Sequence, residues 1–150
     1  MNDVLSSIKT IILRDLDKLE KEISSYRDEE SIWKTGGEII NPAGNLCLHL
    51  CGNLQHYLGA VLGKSGYVRN RPNEFSLKGL KREALIAEIA RTKAAVEKTF
   101  PMIDPAGLTN NYPEKVFDYP MTTLYFLIHL SAHLEYHLGQ INYHRRLLSV

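Results

Sequence analysis

The sequence predicts an all-α fold, a four-helix bundle that forms one domain over residues 1–150. Four long segments repeat apolar residues at spacings of three and four, which is the pattern of helices with one buried face. No segment of useful length alternates apolar and polar residues as a half-buried strand does. A chain of 150 residues can bury about two thirds of its unfolded surface, so one core suffices without a disulfide or metal staple.

The first two predicted helices lie in the N-terminal half of the chain. Residues 3–26 form the first, whose apolar side consists of Leu5, Ile8, Ile12, Leu16, Leu19 and Ile23. Asn41 is a strong N-cap residue and Pro42 suits the first helical position, so we expect the second helix to start there. It runs to about Gly63 and is apolar almost all round, which indicates a buried helix.

The last two predicted helices are separated by a long irregular crossover. Residues 63–77, which precede the third helix, contain turn-forming residues and are predicted to be a loop. Residues 77–100 form the third helix, and Pro101 stops it. We expect Pro120 at the first position of the fourth helix, which runs to Leu148.

Four histidines share one face of the fourth predicted helix: His129, His133, His137 and His144. On an ideal helix, which advances about 100° per residue, they fall within an arc of about 80°. His133 and His137 are about 6 Å apart along the axis, so both rings can reach one metal ion. His144 lies about 16 Å beyond His133, too far to share that ion. The apolar flanks indicate that the stripe points inward, where an imidazole needs a hydrogen-bond partner or a metal.

The second predicted helix carries a matching stripe of polar and small residues: Asn45, His49, Gly52, Asn53, His56 and Ala60. Bundles build their sites from inward side chains on facing helices. We therefore expect His49 to join His133 and His137 around one divalent transition metal, Zn²⁺, Ni²⁺ or Fe²⁺. Three nitrogen ligands leave positions open for water or substrate, which is typical of catalytic sites. Gly52 is expected to keep space clear beside the ion.

Further polar residues are predicted to surround this site. Asn53 and Gln140 lie on the two stripes and could orient a bound water or a ligand ring. If the second and fourth helices are antiparallel, His56 lies beside His129 in a second polar layer, about 10 Å from the ion. A parallel arrangement would instead bring His56 towards His144.

Composition and charge exclude several classes of partner. The chain has 18 basic and 17 acidic side chains, a formal charge of +1, which argues against binding to nucleic acid. No apolar run approaches the roughly 20 residues that cross a bilayer, and charges interrupt the N-terminus, so we predict no membrane contact and a cytoplasmic location. Cys47 and Cys51 are too few for a secreted disulfide framework, and we expect small buried apolar side chains there.

Three segments, LHLCGNLQHYLGAVLG, RNRPNEF and HLEYHLGQINY, resemble the DinB/YfiT-like superfamily of bacterial metal-binding four-helix proteins. The most specific piece is His137 followed by Leu-Gly-Gln-Ile. The resemblance implies metal ligands at His49, His133 and His137, an up-down-down-up bundle with antiparallel second and fourth helices, and a homodimer. Better-understood relatives are metal-dependent S-transferases that use bacillithiol or mycothiol, and a thiol-dependent maleylpyruvate isomerase.

Three functions fit these observations. The first is an enzyme that transfers a low-molecular-weight thiol to an electrophilic small molecule. Metal-dependent hydrolysis is its variant, weakened because no Asp or Glu shares the histidine stripe as a general base. The second is a non-catalytic module that binds a metal or a small ligand, and the third is a bundle whose histidines satisfy one another. Arg69 and Arg71 either bind an anion or hold their loop to carboxylates such as Glu74, and the second interpretation is favoured.

Overall fold

A computed structural model describes residues 2–150 of the chain as an all-helical protein. Its α-helices are α1 (Asp3–Ser24), α2 (Ala43–Leu54), α3 (Arg71–Ser76), α4 (Arg82–Thr99) and α5 (Thr123–Leu148). The longer helices α1, α2, α4 and α5 correspond to the four predicted from the sequence, which confirms the all-α bundle. Within residues 2–150, no helix combines the length and the apolar character that a membrane span requires.

Helix α1 forms as its apolar period predicts. The buried side consists of Leu5, Ile8, Ile12, Asp15, Leu16, Leu19 and Ile23. At its start the Oδ1 atom of Asn2 accepts a hydrogen bond from the backbone N–H of Leu5 at 2.9 Å, which satisfies one of the free donors of the first turn. The helix packs against α4 and α5, so its apolar side closes the bundle core.

The second predicted helix starts slightly later than expected and changes its pitch. Pro42 occupies the N-cap rather than the first helical position. After Leu54 the helix continues as a π-helix over Gln55–Leu62, which is closed by a bond from the backbone N–H of Gly63 to the carbonyl five residues before it. A π-helix has more residues per turn than an α-helix, so wheel angles counted from His49 fail beyond Leu54. Both cysteines of α2 are free and buried, as expected.

The segment 63–77, predicted to be a loop, contains the short helix α3. This helix begins after Asn70, whose side chain accepts a backbone hydrogen bond at 3.2 Å. Helix α4 then begins at Arg82, later than predicted, because Leu77 is extended and Gly79 has a φ of 69°. A six-residue helix is too short to show a helical period, so the apolar pattern could not reveal it.

Helix α5 begins at Thr123, and the predicted start at Pro120 is wrong. The Oγ1 atom of Thr122 accepts a hydrogen bond from the backbone N–H of Tyr125 at 3.1 Å and so caps the helix. Thr122 also pairs with Asn111 in an isolated antiparallel β-bridge, which ties the crossover to the start of α5. The cap supplies a side-chain acceptor for the first turn, which a proline cannot do.

Helix α2 packs against α3, α4 and α5. The ring centroid of His49 lies 5.3 Å from that of His137 on α5. Further along the same helix, the ring of Tyr57 lies 5.0 Å from that of Phe126, which is nearer the start of α5. These contacts occur in opposite chain order, so α2 and α5 run in opposite directions where they meet. The complete up-down-down-up order stays a prediction from the resemblance.

Candidate metal centre

The three histidines predicted as metal ligands come together between α2 and α5. His49, His133 and His137 each offer a ring nitrogen, and these three atoms lie within 4.8 Å of one another. The Nε2 atoms of His49 and His133 are 3.2 Å apart. Two nitrogens that bind one tetrahedral ion at about 2.0–2.1 Å stand about 3.3 Å apart. The spacing of this pair is therefore already the spacing of two ligands of one ion.

The orientation of His49 is fixed from outside the cluster by Glu74. The Nδ1 atom of His49 lies 3.0 Å from Oε1 of Glu74. A carboxylate can only accept, so Nδ1 carries the proton and the lone pair of Nε2 faces His133. A histidine held by a carboxylate in this way is the usual arrangement behind a metal ligand, because the carboxylate sets the tautomer and makes the free nitrogen more basic.

Glu74 is itself held in place by Arg69. The guanidinium donates two hydrogen bonds to the two carboxylate oxygens, at 2.8 and 2.9 Å. Burial of Glu74 opposes its ionisation, but the hydrogen bonds from His49 and Arg69 outweigh that effect and hold its pKa below the ordinary value. The carboxylate therefore stays charged, and the interpretation that Arg69 holds its loop to Glu74 is confirmed. Arg71 instead lies over the ring of Phe75, 5.1 Å from its centroid.

His137 is oriented by the predicted pocket residue Gln140. The Nδ1 atom of His137 lies 2.7 Å from Oε1 of Gln140, one helical turn further along α5. The amide oxygen accepts, so the proton sits on Nδ1 and Nε2 is free to bind an ion. Burial lowers the pKa of His137, and this bond partly opposes the shift. Gln140 therefore orients the ring of a histidine that is predicted to bind the metal.

His133 completes the cluster with no partner for its second nitrogen. Its Nδ1 atom is buried and has no hydrogen-bond partner within residues 2–150, and neither has Oδ1 of Asn53. Burial, together with the neighbouring His137 and His49, lowers the pKa of His133 to about 3. A neutral imidazole is the form that binds metal. Three converging imidazoles, two of them with the tautomer already fixed, fit a divalent transition metal, and the donor set does not select among Zn²⁺, Ni²⁺ and Fe²⁺.

The other two predicted pocket histidines have separate partners. The Nε2 atom of His56 lies 3.0 Å from Oε2 of Glu114 in the crossover. The ring of His129 stacks on Phe126 at 5.8 Å, and burial lowers its pKa. His56 therefore bonds to Glu114 and not to His129, and a second polar layer formed by His56 and His129 stays a prediction.

His144 lies outside the cluster, as its distance along the helix predicts. It is 4% exposed. Its Nε2–H donates to the backbone carbonyl of Lys34 at 2.8 Å, and its Nδ1 accepts from the hydroxyl of Tyr26 at 2.7 Å. Both ring nitrogens are satisfied, so this is a structural histidine that joins the end of α5 to the segment before α2.

Gly52 has a different role from the one predicted. A Cβ atom at this position would lie 2.0 Å from Oε2 of Glu74, so the glycine makes room for the carboxylate rather than for the ion. The apolar pattern gave no sign of Glu74 as a partner of His49, because Glu74 lies in the six-residue helix α3. The available signal was the pair of arginines beside an acidic residue in RNRPNEF. It indicated an ion pair within this segment but not the contact of Glu74 with His49.

An open cleft borders the cluster on the side of His137. Its volume is about 500 Å³, and it lies between the segment from Glu38 to Asn41 and the outer side of α5. His137 and Gln140 are both part of its lining. A small molecule in the cleft would therefore lie beside one of the three imidazoles.

These features define a helical bundle with a possible three-histidine metal site and an open cleft beside it. A family model described as the DinB superfamily matches residues 12–141, so the chain belongs to that superfamily. This confirms the resemblance stated for the sequence. No curated protein and no solved structure matches the chain significantly. The homodimer and the cytoplasmic location stay predictions.

Proposed function

We propose that this protein is a metal-dependent transferase that joins a low-molecular-weight thiol to an electrophilic small molecule. The observation that carries the proposal is the set of three converging imidazoles next to an open cleft. Three protein ligands leave a coordination position free, whereas structural sites are closed by a fourth. His49, His133 and His137 would hold the ion.

A bound divalent ion lowers the pKa of a thiol that reaches it and so supplies a nucleophile near neutral pH. The chain would provide three imidazole nitrogens in fixed positions to bind the ion. Glu74 and Gln140 fix the tautomers of His49 and His137, so two ligand rings need no proton shift or rotation before they bind.

The transfer breaks the sulfur–hydrogen bond of the thiol and forms a carbon–sulfur bond to the electrophile. The displaced group leaves with the electron pair of its bond to carbon, and the thiol proton passes to solvent. No general base is needed, since a thiol ionises much more readily than water. This favours thiol transfer over hydrolysis, because Glu74, the carboxylate next to the cluster, is engaged by His49 and Arg69.

The proposal is tested by incubating the protein, loaded in turn with Zn²⁺, Ni²⁺ and Fe²⁺, with cellular thiols and a panel of electrophiles. We expect a thioether product by mass spectrometry that requires both the metal and the thiol. The same protein treated with a chelator, and the variant His133→Ala, serve as controls. Absence of product across the panel from metal-loaded protein would favour a non-catalytic binding module instead.

A further inference from the structure

The cleft beside His137 has a mostly apolar wall. Its apolar lining comes from two segments and consists of Ile39, Ile40, Leu46, Tyr136, Tyr143 and Leu147. A volume of about 500 Å³ is within the range of about 300–1,000 Å³ that is usual for pockets holding drug-sized molecules. The cleft is therefore large enough for a molecule of one or two rings.

Several of these apolar side chains are left uncovered by the rest of the chain. Ile40 is 85% exposed, Tyr136 66%, Tyr143 64% and Leu147 63%. Large apolar side chains that are exposed singly need no explanation, but a group that converges on one concave surface usually marks a binding site. Covering such side chains is favourable by about 25 cal/mol for each Å² removed from water.

The charge of the cleft restricts what can cover it. Glu38 is the only residue of the lining with a full charge, and it has no ion-pair partner within residues 2–150. His144 cannot offset that charge, because it is held neutral between Tyr26 and the carbonyl of Lys34. A ligand with a carboxylate, sulfonate or phosphate group would meet an unpaired negative charge and no cation in the lining.

One polar group of the lining is available for a hydrogen bond. The Oε1 atom of Gln140 accepts from His137. The two N–H donors of the same amide have no partner within residues 2–150, and Gln140 is an exposed residue of the cleft lining. A carbonyl, nitro or ether oxygen of a ligand could accept from them, which would place that polar end beside His137.

We propose that this cleft binds an uncharged, largely apolar small molecule of one or two rings that carries a single hydrogen-bond acceptor. That the molecule is the electrophile of the transfer rests on the proposed function. The preference for uncharged over anionic ligands does not, because it follows from the lining alone. The two claims can therefore fail separately.

The binding claim is tested with metal-free protein and no thiol, using two fluorescent probes of one ring system. 6-Propionyl-2-dimethylaminonaphthalene has two fused rings, no charge and one ketone oxygen as acceptor, and 6-dimethylaminonaphthalene-2-sulfonate carries one negative charge in place of the ketone. We expect the uncharged probe to bind with one site per chain. The sulfonate should bind at least about fivefold more weakly, because of Glu38. Equal affinity for the two probes, or no binding of the uncharged one, would overturn the proposal.

Variants locate the bound probe. Ile40→Glu puts a charge in the apolar wall, and we expect it to weaken binding of the uncharged probe by about tenfold or more. Ile128→Glu is the matched control, because Ile128 is also an exposed isoleucine, 54% exposed, and lies outside the lining. An equal loss in both variants, or none in Ile40→Glu, would show that the probe binds elsewhere.

Reversal of the one charge tests the selectivity directly. Glu38→Lys should raise the affinity for the sulfonate by at least about fivefold and change that for the uncharged probe by less than about twofold.

Light scattering of the same samples gives the oligomeric state. If the wild type binds no probe and Ile40→Glu dissociates a dimer, a second copy of the chain covers the cleft, and the proposal is wrong.

Discussion

The Nδ1 atom of His49 and the Oε1 atom of Glu74 lie 3.0 Å apart, so a residue outside the histidine cluster decides which nitrogen of His49 faces it. Arg69 holds the same carboxylate with two hydrogen bonds. The ion pair of Arg69 and Glu74 thus holds His49 on the side away from the cluster, and the short helix α3 positions Glu74 there. The experiments below test this support and the cluster itself.

Removal of a cluster histidine should abolish metal binding. We expect about one transition ion per chain in the wild type, and loss of the ion in His49→Ala and in His133→Ala. His56→Ala is the control, because His56 bonds to Glu114 outside the cluster and should keep the ion. Elemental analysis of the purified proteins measures the result. Full metal content in both cluster variants would rule out these ligands.

Glu74→Gln should weaken metal binding without removing it. The amide keeps the shape of the side chain but loses the charge that fixes the tautomer of His49, and such partners are typically worth about 10–100-fold in metal affinity. Competition with a chelator of known affinity measures the change. An unchanged affinity would mean that the bond between His49 and Glu74 has no bearing on the metal.

Gly52→Ala should act on the metal through Glu74. The new methyl group would lie 2.0 Å from Oε2 of Glu74, so the carboxylate must move. We expect a loss of metal affinity similar to that in Glu74→Gln, and no further loss in the double variant. Gly139→Ala is the matched control, because a Cβ there meets nothing within 4 Å. Equal affinity in the two alanine variants would contradict the steric argument.

The metal-free protein should lose stability as the pH falls below about 6.5. Burial lowers the pKa of His133 from 6.5 to about 3 and lowers that of His137 in the same direction. The unfolded chain takes up these protons first, so unfolding becomes more favourable as the pH drops through this window. Urea denaturation between about pH 7 and pH 5 measures the free energy of unfolding. His133→Gln should make the free energy of unfolding depend less on pH. An unchanged pH dependence in this variant would assign the effect to other groups.

His144→Phe should destabilise the fold and leave metal binding intact. The change removes the hydrogen bonds of the ring to the Tyr26 hydroxyl and the Lys34 carbonyl. The hydroxyl can still donate to the carbonyl of Ile141 at 3.3 Å and Lys34 is exposed, so we expect a total cost of about 1–3 kcal/mol. Tyr26→Phe removes only the first of the ring's hydrogen bonds and should cost less. Urea denaturation compares the two. Loss of the metal from His144→Phe would show that the site depends on this histidine after all.

The sequence was sufficient for the bundle and for the three histidines because both depend on a regular helical period. His133 and His137 lie four residues apart on one uninterrupted helix, so wheel geometry placed them correctly. The hydrogen bond of His56 to Glu114 could not be predicted in this way, because Glu114 lies in the irregular crossover. Glu74 was missed as a partner because its contact with His49 depends on where a loop folds back, which no periodic pattern encodes.

The hydrogen bond from His144 to the carbonyl of Lys34 also has a consequence for recognition at the cleft. It anchors the segment that leads into one wall of the cleft to the helix that forms the other. The segment that leads into the first wall is therefore bonded to α5 before any ligand binds. An entering molecule would therefore lose little free energy to the ordering of backbone, and its affinity would depend on shape and on displaced water.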